Sequence, residues 1–241
     1  MPVPDHRPHP GDGHAAGEPF QLLILDCDGV LVDSERITNR VFAEMLGELG
    51  LSLSLADMFE YFVGLTMTQC LERITDLLGH PAPPGFVAAY DRRTRAALER
   101  EVQPVPGIVE ALDRITLPCC VASNGEQAKM RATLGATGLW PRFRGRTFSA
   151  EDVPRPKPAP DVYLLAAERS DTDPADCLVI EDTPTGVAAA VAAGMTVFGY
   201  AASMPSHRLL AAGAHAVFED MRELPARIAA GKPASSQTSS R

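Results

Sequence analysis

The chain has 241 residues and a formal net charge of −9, and 45% of its residues are hydrophobic. That is enough apolar material for one large domain or two small ones, while the acidic balance argues against a general nucleic-acid binder and against a protein that coats anionic membranes. A small phosphorylated ligand remains compatible, because a local cationic pocket can coexist with an acidic exterior. The five cysteines (27, 70, 119, 120 and 177) lack metal-type spacing, and Cys119, Cys120 and Cys177 lie in apolar runs. Buried free thiols in a reducing cytoplasm are therefore expected. No apolar run reaches the length of a membrane span, and the N-terminal stretch has no apolar signal core.

Residues 1–18 are rich in Pro, His and Gly and read as a disordered leader, with His6, His9 and His14 solvated. Leu22-Leu23-Ile24-Leu25 follows, four aliphatic residues without alternation. Such a run suits a strand buried on both faces of a parallel sheet. It stops at two carboxylates, Asp26 and Asp28, and at Gly29, which lets the chain turn sharply. Asp33-Ser34-Glu35 opens a helix whose apolar positions are Ile37, Val41, Phe42, Met45, Leu46 and Leu49, closed by Gly50. Further helices are predicted over 56–63, at Met67, Leu71, Ile74 and Leu78, and from Phe86 through Tyr90 to Leu98. Gln103-Pro104-Val105-Pro106-Gly107 reads as a stiff connector.

Beyond the connector, strand and helix alternate. Strands are predicted at Pro118-Cys119-Cys120-Val121-Ala122, Arg146-Thr147-Phe148-Ser149, Cys177-Leu178-Val179-Ile180, Met195-Thr196-Val197-Phe198 and Ala216-Val217-Phe218. Helices are predicted around Met130 and Leu134, over 159–169 and over 185–193. This alternation is the mark of an α/β fold with a doubly wound, Rossmann-like parallel sheet. The expected organisation is a core of residues 19–34 and 104–230, a helical cap of residues 35–103 inserted after the first strand, and a Ser-rich disordered tail over 231–241. A cleft between two such bodies is a natural ligand site and hinge.

Four polar groups fall at the carboxyl ends of predicted strands or in the loops beyond: Asp26 and Asp28, Ser123-Asn124, Lys157, and Glu181-Asp182. In an open α/β sheet that is where chemistry sits. Taken singly they read as turns, caps, a solvated lysine and a helix-dipole acid pair. Together they converge on one pocket. Four carboxylates with one lysine suggest a hard divalent cation, of which Mg²⁺ commonly bridges carboxylates to phosphate. Ser, Asn, backbone N–H and Lys are partners for phosphate oxygens. The pocket reads as metal-assisted phosphoryl transfer.

Asp26-Cys27-Asp28-Gly29-Val30-Leu31, Ser123-Asn124, Lys157-Pro158 and Glu181-Asp182 resemble the four motifs of the haloacid dehalogenase-like hydrolase superfamily. The helical insert after the first motif is similar to that of the β-phosphoglucomutase-like phosphatase branch. The resemblance implies that Asp26 is the nucleophile and that Asp28 protonates the leaving oxygen and later deprotonates water. It also implies Mg²⁺ on Asp26, the Asp28 backbone carbonyl and Asp182, with Glu181 bound directly or through water. Ser123 and Lys157 would hold the transferring phosphoryl oxygens, and Asn124 would line the pocket. Gly64-Leu65-Thr66 would reach over the site to read the leaving group. Arg73, Arg92, Arg93 and Arg95 are candidates for holding a second anionic group, although a solvated helix face is the favoured reading for most of them.

The expected activity is that of a Mg²⁺-dependent phosphatase acting on a small phosphorylated metabolite, sugar phosphates among them. The alternative is a sugar phosphomutase using the same nucleophile, and a more distant one is a non-catalytic metabolite-binding protein. No nucleic-acid or membrane partner is expected. A cytoplasmic monomer or weak homo-oligomer is.

Overall fold

The computed structural model describes residues 18–62 and 67–233. The stretches read as a leader and a tail therefore lie largely outside the described residues, as do Gly64 and Thr66. The first strand, β1 (Leu22–Leu25), is followed by four helices: α1 (Glu35–Glu48), α2 (Leu55–Phe62), α3 (Met67–Leu78) and α4 (Phe86–Glu101). The chain then returns through α5 (Ile108–Arg114) to β2 (Cys119–Ser123), α6 (Gln127–Ala136), α7 (Trp140–Phe143) and β3 (Thr147–Ser149). It closes with α8 (Asp161–Arg169), β4 (Cys177–Glu181), α9 (Pro184–Ala192), β5 (Thr196–Tyr200), α10 (Ser206–Ala211), β6 (Ala216–Phe218) and α11 (Leu224–Ala229). None of these helices is long and apolar enough to cross a membrane.

The six strands pair in parallel in the order β3-β2-β1-β4-β5-β6. This is the doubly wound architecture that the alternation predicts. The chain winds outward from β1 in both directions, so the topological switch point lies between β1 and β4. The crevice beyond the carboxyl ends of those two strands is where such a sheet binds its ligand.

The unbroken apolar run of β1 has a direct structural cause. Leu23 and Leu25 pack into one hydrophobic cluster, with Val121, Leu178, Ile180 and residues of α1, α5 and α6. Leu22 and Ile24 point to the opposite face and pack with Val162 and Tyr163 of α8 and Val187 of α9. A strand in mid-sheet buries both faces, so polar residues have no place in it.

The insert has an aromatic centre: Phe42 meets Phe62, Phe86 and Tyr90 with ring centroids 5.3, 6.0 and 5.1 Å apart. Phe42 nevertheless belongs to the same hydrophobic cluster as Leu23 and Leu25, so insert and sheet share one apolar mass. The two connectors run side by side. Val105 N–H donates to the Leu31 carbonyl (3.0 Å) and Asp33 N–H to that of Gln103 (2.9 Å), and Val32 and Pro104 form an antiparallel bridge. The stretch read only as a stiff linker is thus one half of a two-stranded connection.

All five cysteines are free thiols, four of them buried and Cys119 half-buried. Burial pushes the Cys120 and Cys177 thiols up to about 12, which makes them poor nucleophiles at neutral pH.

Two glycines separate close packing from open space. A Cβ on Gly186, in the first turn of α9, would collide with the Glu181 carboxylate, whereas one on Gly135 of α6 meets nothing. Gly186→Ala is expected to destabilise by about 1–3 kcal/mol through overpacking, and Gly135→Ala to stabilise by up to about 1 kcal/mol. Thermal melts of the two variants check this; shifts of the same sign would contradict the packing described.

Candidate active site

The four motif segments meet at the carboxyl end of the sheet. Asp26 follows β1, Ser123 ends β2, Lys157 lies on the loop before α8, and Glu181 ends β4 with Asp182 next to it. All five are buried, Asp26 being 7% exposed and Lys157 6%. Lys157 is the hub. Its Nζ donates to Asp26 Oδ1 and to Glu181 Oε1, both at 2.7 Å, and to the Ala122 carbonyl at 3.0 Å. It also stands 4.6 Å over the Tyr163 ring. Burial by itself lowers a lysine's pKa, but Asp26 and Glu181 outweigh it and hold Lys157 well above the ordinary value.

Asn124 locks the loop that carries this lysine. The Lys157 N–H donates to Asn124 Oδ1 (2.9 Å), and Asn124 Nδ2 donates to the Lys157 carbonyl (3.3 Å). The amide expected to face a ligand is thus committed to the protein backbone. Ser123 Oγ accepts from Gly125 N–H at 3.0 Å, which shapes the turn after β2.

The carboxylates divide into two kinds. Glu181 is fully engaged: Oε1 accepts from Lys157 and from the Tyr163 hydroxyl (3.1 Å), and Oε2 accepts from the Thr183 N–H and hydroxyl, both at 2.9 Å. Four donors thus occupy both oxygens of Glu181, the acid expected to reach a metal directly or through water. Asp28 is turned toward a different set of donors. Ser34 Oγ donates to its Oδ1 at 2.5 Å and Lys129 Nζ to its Oδ2 at 2.7 Å.

Asp26 and Asp182 remain. Burial is the main cause that raises Asp26 to about 7, with Lys157 opposing it. Burial, reinforced by Glu181 and Asp26, drives Asp182 well above the ordinary carboxylate value. Asp182 Oδ1 is buried without any hydrogen-bond partner. Two buried acids pressed toward neutrality, one with an orphaned oxygen, fit a cation site. Gly29, with φ of 78°, keeps that space open, because a Cβ there would fall on the Asp182 carboxylate. Among the described residues no three His, Cys, Asp or Glu side chains form a metal cage by themselves. The four-carboxylate cluster read from the sequence therefore reduces to two available acids, and a backbone oxygen would have to complete the ligand set.

A model of the haloacid dehalogenase-like hydrolases matches residues 20–194. This chain belongs to that family. It has relatives that are themselves named phosphatases. It is 28% identical to 6-phosphogluconate phosphatase of Escherichia coli, over 86% of this chain and 93% of that one. It is 32% identical to the fructose-1-phosphate phosphatase of the same organism, over 74% and 95%. Among solved structures, a haloacid dehalogenase-like protein of unknown function from Agrobacterium tumefaciens has a TM-score of 0.81 and 38% identity, covering 88% of this chain and 98% of that one. These relatives place the hydrolase among those of phosphoric monoesters.

Sequence reasoning missed three residues of the site. Ser34 looked like a helix cap, but at the N-cap position of α1 its side chain makes no capping bond and serves Asp28 instead. Tyr163 shows only the spacing of a core residue. Lys129 carried a readable signal: it sits in the first turn of α6, where the helix dipole disfavours a cation. Of the arginines proposed for a second anion, Arg93 is bonded to Glu48 at 2.6 Å and Arg95 pairs with Glu126 at 3.6 Å.

Asp182 generates a stability prediction. Its pKa is higher folded than unfolded, so its ionisation costs the fold nothing at low pH and progressively more above the ordinary value of 3.8. In chelator at neutral pH, Asp182→Asn is expected to melt above the wild type, and the gap should close as the pH falls toward 4. A variant that melts lower at neutral pH would show that Asp182 has a partner.

Proposed function

We propose that the chain is a Mg²⁺-dependent phosphatase that hydrolyses a small phosphorylated metabolite, a sugar phosphate or a close relative of one, through a phosphorylated Asp26. The observation that carries this reading is the pairing of Asp26 with Lys157 at 2.7 Å, beside a second carboxylate, Asp28, that has its own donors. The named relatives act on phosphogluconate and fructose 1-phosphate, which supports the substrate class.

The residues divide the work as follows. Asp26 attacks phosphorus while the ester P–O bond breaks, and Lys157 and Ser123 hold the phosphoryl oxygens in position. Asp28 gives its proton to the departing alkoxide oxygen. It then takes one from water as that water attacks the aspartyl phosphate, which restores Asp26 and releases inorganic phosphate. Asp26, Asp182 and the Asp28 backbone carbonyl would hold Mg²⁺, which when bound supplies positive charge against the phosphoryl group. Glu181 is assigned to Lys157, and Asn124 to its loop, as positioning residues. Residues 35–103 act as the cap that encloses the leaving group. Water is favoured over a sugar hydroxyl as acceptor because Arg93 and Arg95 of the insert are paired with acids rather than gathered into one basic cluster. The enzyme is assigned to the cytoplasm, as a monomer or weak homo-oligomer.

Asp26→Asn is expected to give a folded protein with no phosphate release; retention of a tenth of wild-type turnover would remove Asp26 from the nucleophile's role. Asp28→Asn should lose far more activity on alkyl phosphates than on p-nitrophenyl phosphate, whose leaving group needs little protonation. Excess chelator should abolish activity. Mg²⁺ should restore it and Ca²⁺ should do so poorly, since Ca²⁺ prefers more ligands in looser geometry. Full activity in chelator would refute the metal requirement.

A further inference from the structure

At the amino end of the sheet, opposite the catalytic pocket, lies a concavity of about 490 Å³. Cys119 at the start of β2, Arg146 just before β3 and Arg169 in the last turn of α8 line it, with Pro118 and Phe148 as apolar walls. The fold fixes this meeting. Val121 N–H donates to the Arg146 carbonyl at 2.9 Å, which holds Arg146 beside the start of β2. Helix α8 packs on β2 and β3 and runs back against the strand direction, so its last turn reaches the same end. Cys119 and Ser123 are the two ends of β2, which puts the concavity about 13 Å from the catalytic residues at the rise of a parallel strand.

Charge sets this lining apart. The chain has 31 Asp and Glu against 22 Lys and Arg, so acids are in excess to pair with its cations. Arg93, Arg95, Arg155, Arg222 and Arg227 each stand within 3.6 Å of a carboxylate. Arg146 and Arg169 form no ion pair with a described residue, and no acid lines the concavity. Arg146 is braced by a neutral group instead, its Nη2 donating to the Arg142 carbonyl, which leaves the charge unmatched and most of the guanidinium donors unused. Burial raises the Cys119 thiol, while Arg146 and then Arg142 oppose that rise, so guanidinium charge reaches this wall. Singly, an exposed arginine is solvated, and one in a last helical turn suits the helix dipole. Two on one concavity, with no acid and with an aromatic wall between the strands, offer more. Guanidinium forks match phosphate oxygens, and the apolar walls match the body of a small ligand.

We propose that this concavity is a second, non-catalytic anion site, which binds a phosphate or phosphonate head carried on an apolar or aromatic body, held by Arg146 and Arg169 against Phe148. It stands apart from the phosphatase reading, since no step of the hydrolysis passes through this end of the sheet.

The test is equilibrium dialysis at constant ionic strength, counting inorganic phosphate and phenylphosphonate bound per chain. Phenylphosphonate presents the same head on a ring and has no ester bond to hydrolyse. The wild type is expected to bind one more phenylphosphonate than Arg146→Gln/Arg169→Gln does, because the double variant keeps only what the catalytic pocket binds. At the extra site phenylphosphonate should bind about tenfold more tightly than inorganic phosphate, which has no apolar body to bury. Arg169→Gln alone should weaken that site by about tenfold, the worth of one charge-assisted hydrogen bond. Phenylphosphonate should also slow maleimide labelling of Cys119 in the wild type and not in the double variant, which locates the site. Both arginines are exposed, so the double variant should keep the wild-type melting temperature and the wild-type hydrolysis of p-nitrophenyl phosphate. Equal stoichiometry in wild type and double variant would overturn the proposal, as would equal affinity for the two anions at the extra site. Neither result bears on whether the catalytic pocket hydrolyses esters, so the two readings fail separately.

Discussion

The buried ammonium of Lys157 is the constraint on which the rest of the site depends. A charge taken this far from water must be matched, and here Asp26 and Glu181 match it at equal distances of 2.7 Å. Removing one partner of such a group costs about 3–5 kcal/mol, because an uncompensated charge is left behind. The surrounding structure follows from keeping the triad intact. Tyr163 and Thr183 use up the remaining oxygens of Glu181, Asn124 fixes the Lys157 backbone, and Gly186 leaves room for the Glu181 carboxylate. Glu181 is an acid that stabilises a cation, and the cation in turn steadies Asp26.

A second network serves Asp28 and is built differently. Its side chain is 26% exposed and its donors come from two bodies, Ser34 at the first connector and Lys129 on α6. The paired stretches around Val32 and Pro104 tie Ser34 to both connectors of the insert. The network around Asp26 is buried, whereas the shallower one around Asp28 sits where insert and sheet meet. Asp26 and Asp28 are two residues apart in the chain yet belong to different environments, as the two different tasks proposed for them require.

Asp182 shows how stability is traded for a site. It is 5% exposed, has no cationic partner among the described residues, and keeps one oxygen unbonded there. A fold selected for stability alone would place an amide or an apolar residue there. The acid is consistent with the cation site proposed for it, and Gly29 beside it, held at φ of 78°, is the backbone that lets the carboxylate fit.

Much of this protein was determined locally by its sequence. Leu22-Leu23-Ile24-Leu25 and Cys177-Leu178-Val179-Ile180 are apolar on every residue because a central parallel strand is buried on both faces, so those strands read directly from the chain. The longer helices of the insert read from their 3.6-residue period. The motif acids and Lys157 were legible because chemistry collects at strand ends. Short helices such as Trp140–Phe143 and Ser206–Ala211 were not, since four or six residues show no period. The tertiary structure alone decided which partners each acid has. Asp28 meets Lys129 across 101 residues and Glu181 meets Tyr163 across 18, and no local pattern encodes those distances. Four acids look alike along the chain. They differ because burial and donors, which exist only once the sheet has assembled, give Glu181 four bonds and leave an Asp182 oxygen with none.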